Sequence, residues 1–237
     1  MQDSERDLAR RLARVREAMA DAVARRGSGA TPTLLAVSKL QPIDRIREAM
    51  ALGVEDLAES YAQELRDKQA AIGESPPRWH FIGALQSNKL KLLVGHAILH
   101  TIDRVGLVEQ AERRAAALGI TVDTLVQVNL AGEHQKAGAA PHEVPKLLDA
   151  FASTPRVRCT GFMLIPPAAA SEPTRAWFRG LRELRDRLAE TPRVNVHLRE
   201  LSMGMTGDFE IAIEEGATMV RIGTAIFGER IVSVTQR

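Results

Sequence analysis

Lys39 closes a short apolar run, Leu34-Leu35-Ala36-Val37-Ser38-Lys39, and near the other end of the chain lies Arg221-Ile222-Gly223-Thr224-Ala225-Ile226-Phe227-Gly228. A lysine directly after a strand interior is partly desolvated, which disfavours its charged form and makes the amine a better nucleophile toward an aldehyde. In the second segment a missing side chain exposes backbone N–H groups and a threonine hydroxyl adds a donor, as in phosphate sites at the start of helices. Ser202, Gly204 and Thr206 offer a second such loop. One amine and one phosphate cradle suggest pyridoxal phosphate (PLP), its aldehyde on the amine. A sugar phosphate attacked directly by Lys39 would use the same two features. Each feature also has a purely structural use: a strand-end lysine can snorkel to solvent, and Gly223 and Thr224 can serve packing and a helix N-cap.

Arg221 leaves the last apolar run just before the phosphate loop. A guanidinium facing a pyridine nitrogen disfavours ring protonation, because like charges repel, and so makes a weak electron sink. Its structural alternative is an ion pair with Glu210 or Glu229. His80, within Trp79-His80-Phe81-Ile82-Gly83, reads as a hydrogen-bonded core residue. The six histidines, at 80, 96, 100, 134, 142 and 197, show no metal-binding spacing. Cys159 is the only cysteine, which excludes an internal disulfide, and it reads as a small buried residue.

These residues need elements to bring them together. Short apolar runs alternate with segments of helical period, the pattern of repeated βα units and a parallel sheet. Strands are expected near 33–38, 55–58, 79–83, 98–101, 123–129, 157–162, 198–201 and 218–222. Helices are expected near 42–52, 61–72, 86–94, 104–118, 141–152, 172–189, 207–215 and 224–228, with a loop over 166–173. Pro42 and Pro141 fit first helical turns, and Gly53, Gly119 and Gly216 fit left-handed caps. Residues 2–26 add a first helix with Leu8, Leu12, Val15, Met19 and Val23 on one face. Eight strands in 237 residues predict a single α/β domain over 1–237, a (β/α)₈ TIM barrel with an extra N-terminal helix. No glycine follows the first strand in Ser38-Lys39-Leu40-Gln41-Pro42-Ile43-Asp44, which argues against a dinucleotide-binding sheet. In a barrel, the residues that end the strands meet at one face.

A net charge of +2 from 32 basic and 30 acidic residues gives no basic surface for nucleic acid. No stretch reaches the roughly 20 apolar residues that span a bilayer, and no apolar signal core opens the chain. A cytoplasmic protein with no membrane partner is expected. Aromatic content of 4% gives no reason for an obligate interface, so a monomer is expected.

Four motifs in this order resemble the pyridoxal phosphate homeostasis protein family, whose fold is similar to the N-terminal barrel of alanine racemase. They are Leu35-Ala36-Val37-Ser38-Lys39; Trp79-His80-Phe81-Ile82-Gly83 with Leu85-Gln86-Ser87-Asn88-Lys89; Leu201-Ser202-Met203-Gly204-Met205; and Met219 to Gly228. The resemblance implies Lys39 as the aldimine lysine, Ser202, Gly223 and Thr224 as phosphate ligands, Met203 as a lining residue and Arg221 opposite the pyridine nitrogen. Ile82 and Gly83 would lie near the cofactor. The family usually reads Phe-Gly-Glu-Asn-Tyr after its second strand, whereas this chain reads Leu57-Ala58-Glu59-Ser60-Tyr61, so Ser60 stands for a cofactor-side Asn. The family's Gly-Met-Ser becomes Gly204-Met205-Thr206, which keeps a hydroxyl.

The family implies a protein that holds PLP in vitamin B6 homeostasis and exchanges it with PLP-dependent apoenzymes, without established turnover. Racemisation needs a base on each face of the substrate carbon. The only tyrosine is Tyr61, on the second barrel helix, and one barrel is expected to account for the whole chain. A weak PLP-dependent racemase using a concealed base such as His80, and a cofactor-free Schiff-base lyase, are the alternatives.

Overall fold

The computed structural model describes residues 2–73, 75–132, 137–167 and 171–229; His134 falls outside these. Eight parallel strands close into a barrel in sequence order. They are β1 (Thr33–Val37), β2 (Asp56–Glu59), β3 (Arg78–Phe81), β4 (Ile98–Ile102), β5 (Val122–Gln127), β6 (Val157–Met163), β7 (Val196–Ser202) and β8 (Met219–Ile222). Around them run α1 (Gln2–Arg26), α2 (Ile43–Ala51), α3 (Ala62–Ile72), α4 (Leu90–Leu93), α5 (Val105–Leu118), α6 (Val144–Ala152), α7 (Ser171–Ala189), α8 (Phe209–Glu214) and α9 (Thr224–Phe227). The (β/α)₈ expectation holds.

Strand alternation divides the residues between two environments. Ala36, Leu57, Phe81, Leu99, Phe162 and Val220 belong to the core cluster packed under the helices. Their neighbours face the barrel axis, and the register aligns Leu35 with Arg221, Ala58 with His80, and Met163 with Ser202. Barrel interiors are usually filled by layers of branched aliphatic side chains. Here Asp56, His80, His100 and Arg221 are buried among them, so part of the filling is polar.

α9 has only four residues, too few to cover the seam between β8 and β1. The first helix fills that position and packs against α8, α9 and α2. Its buried face is Leu8, Leu12, Val15, Met19 and Ala22. Ala22 takes the place expected for Val23, which is only partly buried, because a straight helix at 3.6 residues per turn drifts off a four-residue spacing.

Three other expectations shift. The helix expected at 86–94 is a 3₁₀ turn, Ser87–Lys89, followed by the single turn of α4. Helix α6 begins at Val144 with Pro145 in its first turn, and Pro141 lies in the preceding turn. The loop expected over 166–173 ends by Ser171, where α7 begins; residues 168–170 lie outside the described residues. The glycine caps stand, with Gly53, Gly119 and Gly216 all at positive φ. Cys159 is fully buried, and burial pushes its thiol up to about 12, leaving it unreactive.

The backbone of β7 lies close against Gly161 of β6, where an added Cβ would meet the Glu200 carbonyl oxygen at 1.9 Å. The register shifts at this point as well. Gly161→Ala is therefore expected to lower stability by about 2 to 3 kcal/mol, the cost of overpacking a fixed backbone, read as a lower midpoint in urea unfolding.

Candidate functional site

Lys39 sits in a turn that the fold holds from behind. The Gln41 amide donates to the Ser38 carbonyl (3.0 Å), closing a turn with Lys39 and Leu40 at its centre. Leu40 has φ 60°, a left-handed conformation that costs a side-chain-bearing residue about 1 kcal/mol. The restraints around it offset this cost. Lys68 of α3 donates from Nζ to the Ser38 carbonyl, Glu59 Oε1 and Glu64 Oε1, each at 2.6 Å. The Ser38 hydroxyl donates to Glu59 Oε1 (2.6 Å), and the Leu40 amide donates to Glu64 Oε1 (2.6 Å). The residues on both sides of Lys39 are thus tied to one buried ionic cluster. Lys39 follows the inward-facing Leu35 and Val37 at even spacing, and its half-buried side chain lines a cavity.

Glu59 is fully buried, and only one of its oxygens has a hydrogen-bond partner among the described residues. Burial raises its carboxyl above the ordinary range, while Lys68 and the Ser38 hydroxyl pull the other way.

The cavity, about 290 Å³, opens where β1, β2, β3 and β8 end. Lys39, Ser60 and Ile82 line one part; Thr206, Gly223 and Thr224 line another. Arg221 also reaches it, and Val37, Ile165 and Met205 supply apolar walls. The Thr224 hydroxyl donates to Thr206 Oγ1 (3.2 Å), which joins the seventh and eighth loops. At the same end α9 begins, and the first N–H groups of a helix have no partner within it.

Arg221 is almost completely buried, at 3% exposure. Its Nη1 donates to the Ser202 carbonyl (2.6 Å) and hydroxyl (2.9 Å), and Nη2 donates to the Leu164 carbonyl (2.9 Å). The alternative of an ion pair fails: Glu210 pairs with Arg25 instead, and neutral oxygens hold Arg221. Burial pushes the guanidinium down to about 10, with the charge of Asp208 acting the other way, so it remains a cation at neutral pH. Three hydrogen bonds leave donor capacity on this five-donor group for a ligand in the cavity.

Of the expected site residues, the cavity thus gathers Lys39, Ser60, Ile82, Arg221, Gly223 and Thr224. Ser202 and Met203 are fully buried behind its wall. The Ser202 side chain faces the axis and holds Arg221, while Met203 turns by alternation into the helix-side core. Met205, two residues on, reaches the cavity instead. Gly83 lines an adjoining cavity with Ser60, and a Cβ there would lie 2.0 Å from the Ser60 carbonyl oxygen. Its lack of a side chain lets the second and third loops touch. A further cavity of about 360 Å³ lies across Ile82 and Ile165. His80 is satisfied in the core, bonded to Asp56 and His100. Sequence reasoning missed Glu64 and Lys68. The Glu-x₃-Lys spacing on α3 was a signal for their pairing, though nothing local points it at the Lys39 turn.

The fold and this constellation define a barrel built like the N-terminal domain of alanine racemase, and residues 11–231 match the family model "Alanine racemase, N-terminal domain". The chain is 44% identical over 223 residues to the pyridoxal phosphate homeostasis protein of Aquifex aeolicus, spanning 93% of this chain and 97% of that one. It is 44% identical over 227 residues to the protein of that name from Pseudomonas aeruginosa, 94% of each. The structure of PipY from Synechococcus elongatus PCC7942 with PLP bound superposes with a TM-score of 0.82 at 34% identity, covering 93% of this chain and all of that one. The chain belongs to the pyridoxal phosphate homeostasis protein family.

Removing Lys68 would strand a buried carboxylate beside the Lys39 turn. Lys68→Met is expected to cost about 3 kcal/mol at pH 7 in urea unfolding. Glu59 titrates higher folded than unfolded, so protonation favours the folded state. The deficit of the variant should therefore shrink as the pH is lowered through the carboxylate range.

Proposed function

We propose that this protein holds PLP reversibly on Lys39 and buffers or passes on the cofactor within vitamin B6 homeostasis. The observation that carries this reading is the convergence of an amine, a cation and a hydroxyl- and amide-lined loop, from the first and last strands, on one small cavity. The names of its relatives and the PLP bound to PipY support it.

The donor set fits the cofactor. Lys39 would supply the amine and Ile82 and Ile165 the apolar walls for the ring, while Thr206, Gly223 and Thr224 with the first amides of α9 would hold the phosphate. Ser202 and Met203 would buttress this arrangement from behind, and Gly83 would let Ser60 approach. Arg221 would donate to the ring nitrogen and, as a cation, keep it unprotonated. Bound PLP supplies an aldehyde that exchanges between amines. A strongly protonated ring would instead stabilise carbanions at the substrate carbon, so the cationic Arg221 favours holding over turnover.

The cavity lining supports the carrier over a racemase. Among the described residues lining it, Lys39 is the one side chain suited to act as a proton-accepting base. Tyr61 is 54% exposed and lines the adjoining cavity rather than this one. PLP-dependent apoenzymes are the proposed recipients, and the cytoplasm the proposed compartment.

Incubation with PLP should produce a visible absorbance band, and borohydride should fix the cofactor on Lys39, located by mass mapping. Lys39→Ala should lose both. Equal labelling of the variant would sink the assignment, and exchange of substrate α-deuterium at a catalytic rate would move the racemase to the front. Ser60→Asn, which restores the residue usual in the family, should tighten the Kd for PLP by about two- to tenfold, the worth of one hydrogen bond.

A further inference from the structure

Arg221 and Ser202 are the upper end of a chain of hydrogen bonds that crosses the barrel. Ser202 Oγ lies 3.0 Å from His100 Nδ1, His100 Nε2 lies 2.8 Å from His80 Nδ1, and His80 Nε2 lies 3.0 Å from Asp56 Oδ1. Asp56 opens β2, at the end of the barrel away from the cavity, and Arg78 grips both its oxygens at 2.7 and 2.8 Å. All four inner residues are buried.

The direction of the chain follows from donor and acceptor chemistry. A guanidinium only donates and a carboxylate only accepts. Arg221 Nη1 gives a hydrogen to Ser202 Oγ, so the Ser202 hydroxyl hydrogen goes to His100 Nδ1. Neutral His100 then carries its own hydrogen on Nε2 and gives it to His80, which carries its hydrogen on Nε2 and gives it to Asp56. Every donor has an acceptor. The reverse arrangement needs one further proton on the rings and leaves the Ser202 hydroxyl hydrogen without an acceptor in a fully buried place, a rare arrangement. Burial, reinforced by the charge of Arg221, holds His100 well below the ordinary imidazole value, consistent with a neutral ring. At Asp56, burial alone would raise the carboxyl, but the bonds from His80 and Arg78 together leave it below its ordinary value.

We infer that Ser202, His100, His80 and Asp56 are positioning residues for Arg221, forming a one-way hydrogen-bond chain that fixes the guanidinium at the cofactor cavity and ends on a carboxylate at the opposite end of the barrel. A carboxylate in direct contact would draw the cation away from a ligand and cancel its field. The chain restrains Arg221 through a neutral hydroxyl and leaves its charge directed at the cavity. This inference rests on the PLP reading for its effect on affinity, but the chain itself needs no ligand.

Two measurements separate these. Without PLP, ¹⁵N–¹H spectra of the histidine side chains at pH 7 should show His80 and His100 as neutral Nε2–H tautomers; an imidazolium or an Nδ1–H form at either would overturn the chain. With PLP, His100→Leu should bind about tenfold more weakly, whereas His100→Asn, which keeps an acceptor opposite the Ser202 hydroxyl, should stay within about threefold of the parent. In an Arg221→Lys background His100→Leu should add nothing. Equal affinities for the Leu and Asn variants would reduce the chain to core packing. Should His100→Leu fail to fold, Asp56→Asn, far from the cavity, is expected to weaken binding about threefold, and an unchanged Kd would overturn the inference. If the parent protein takes up no PLP, the cofactor reading fails while the tautomers still decide the chain.

Discussion

A cation inside a barrel is the constraint around which this molecule is arranged. Burying a guanidinium is costly unless its donors are satisfied, and an unpaired buried charge is costlier still. Here the hydroxyl and carbonyl of Ser202 and the carbonyl of Leu164 meet Arg221 without neutralising it. That solution requires β6, β7 and β8 to end at one level, which the closed barrel and the close approach of β7 over Gly161 provide. The interior gives up apolar filling for the two histidines and Asp56, and the helix-side cluster supplies the burial that the axis lacks.

The amine on the other side of the cavity is held by a different strategy. Lys39 lies on a turn whose flanking residues are tied to Lys68, Glu59 and Glu64. The amine and the guanidinium of the cavity are thus fixed by separate networks, one behind β1 and β2 and one along the barrel axis. Under the proposed function, a ligand carrying an aldehyde, a ring nitrogen and a phosphate would lie between them.

Much of this was legible in the sequence because it depends on local pattern. The βα alternation, the position of Lys39 after an apolar run, and Gly223-Thr224 at a helix start all follow from spacing, and closure of the barrel brings the two segments together. What spacing conceals is which way a residue faces once strands end. Ser202 and Met203 look alike as loop residues, yet one meets Arg221 and the other the core. Ala22 displaced Val23 because the 3.6-residue period drifts off a four-residue spacing along a 25-residue helix. The chain from Asp56 to Arg221 joins β2, β3, β4, β7 and β8, and no sequence separation between its members carries a signal. His80 was readable as a satisfied core residue; its partners were not.

The most direct test of this account is a crystal structure of the protein soaked with PLP. The account predicts continuous density from Lys39 Nζ to the cofactor, the phosphate against Gly223 and Thr224, and Arg221 within hydrogen-bond reach of the ring nitrogen with its bonds to Ser202 intact. Cofactor bound away from Lys39, or an Arg221 swung out of the barrel, would contradict it.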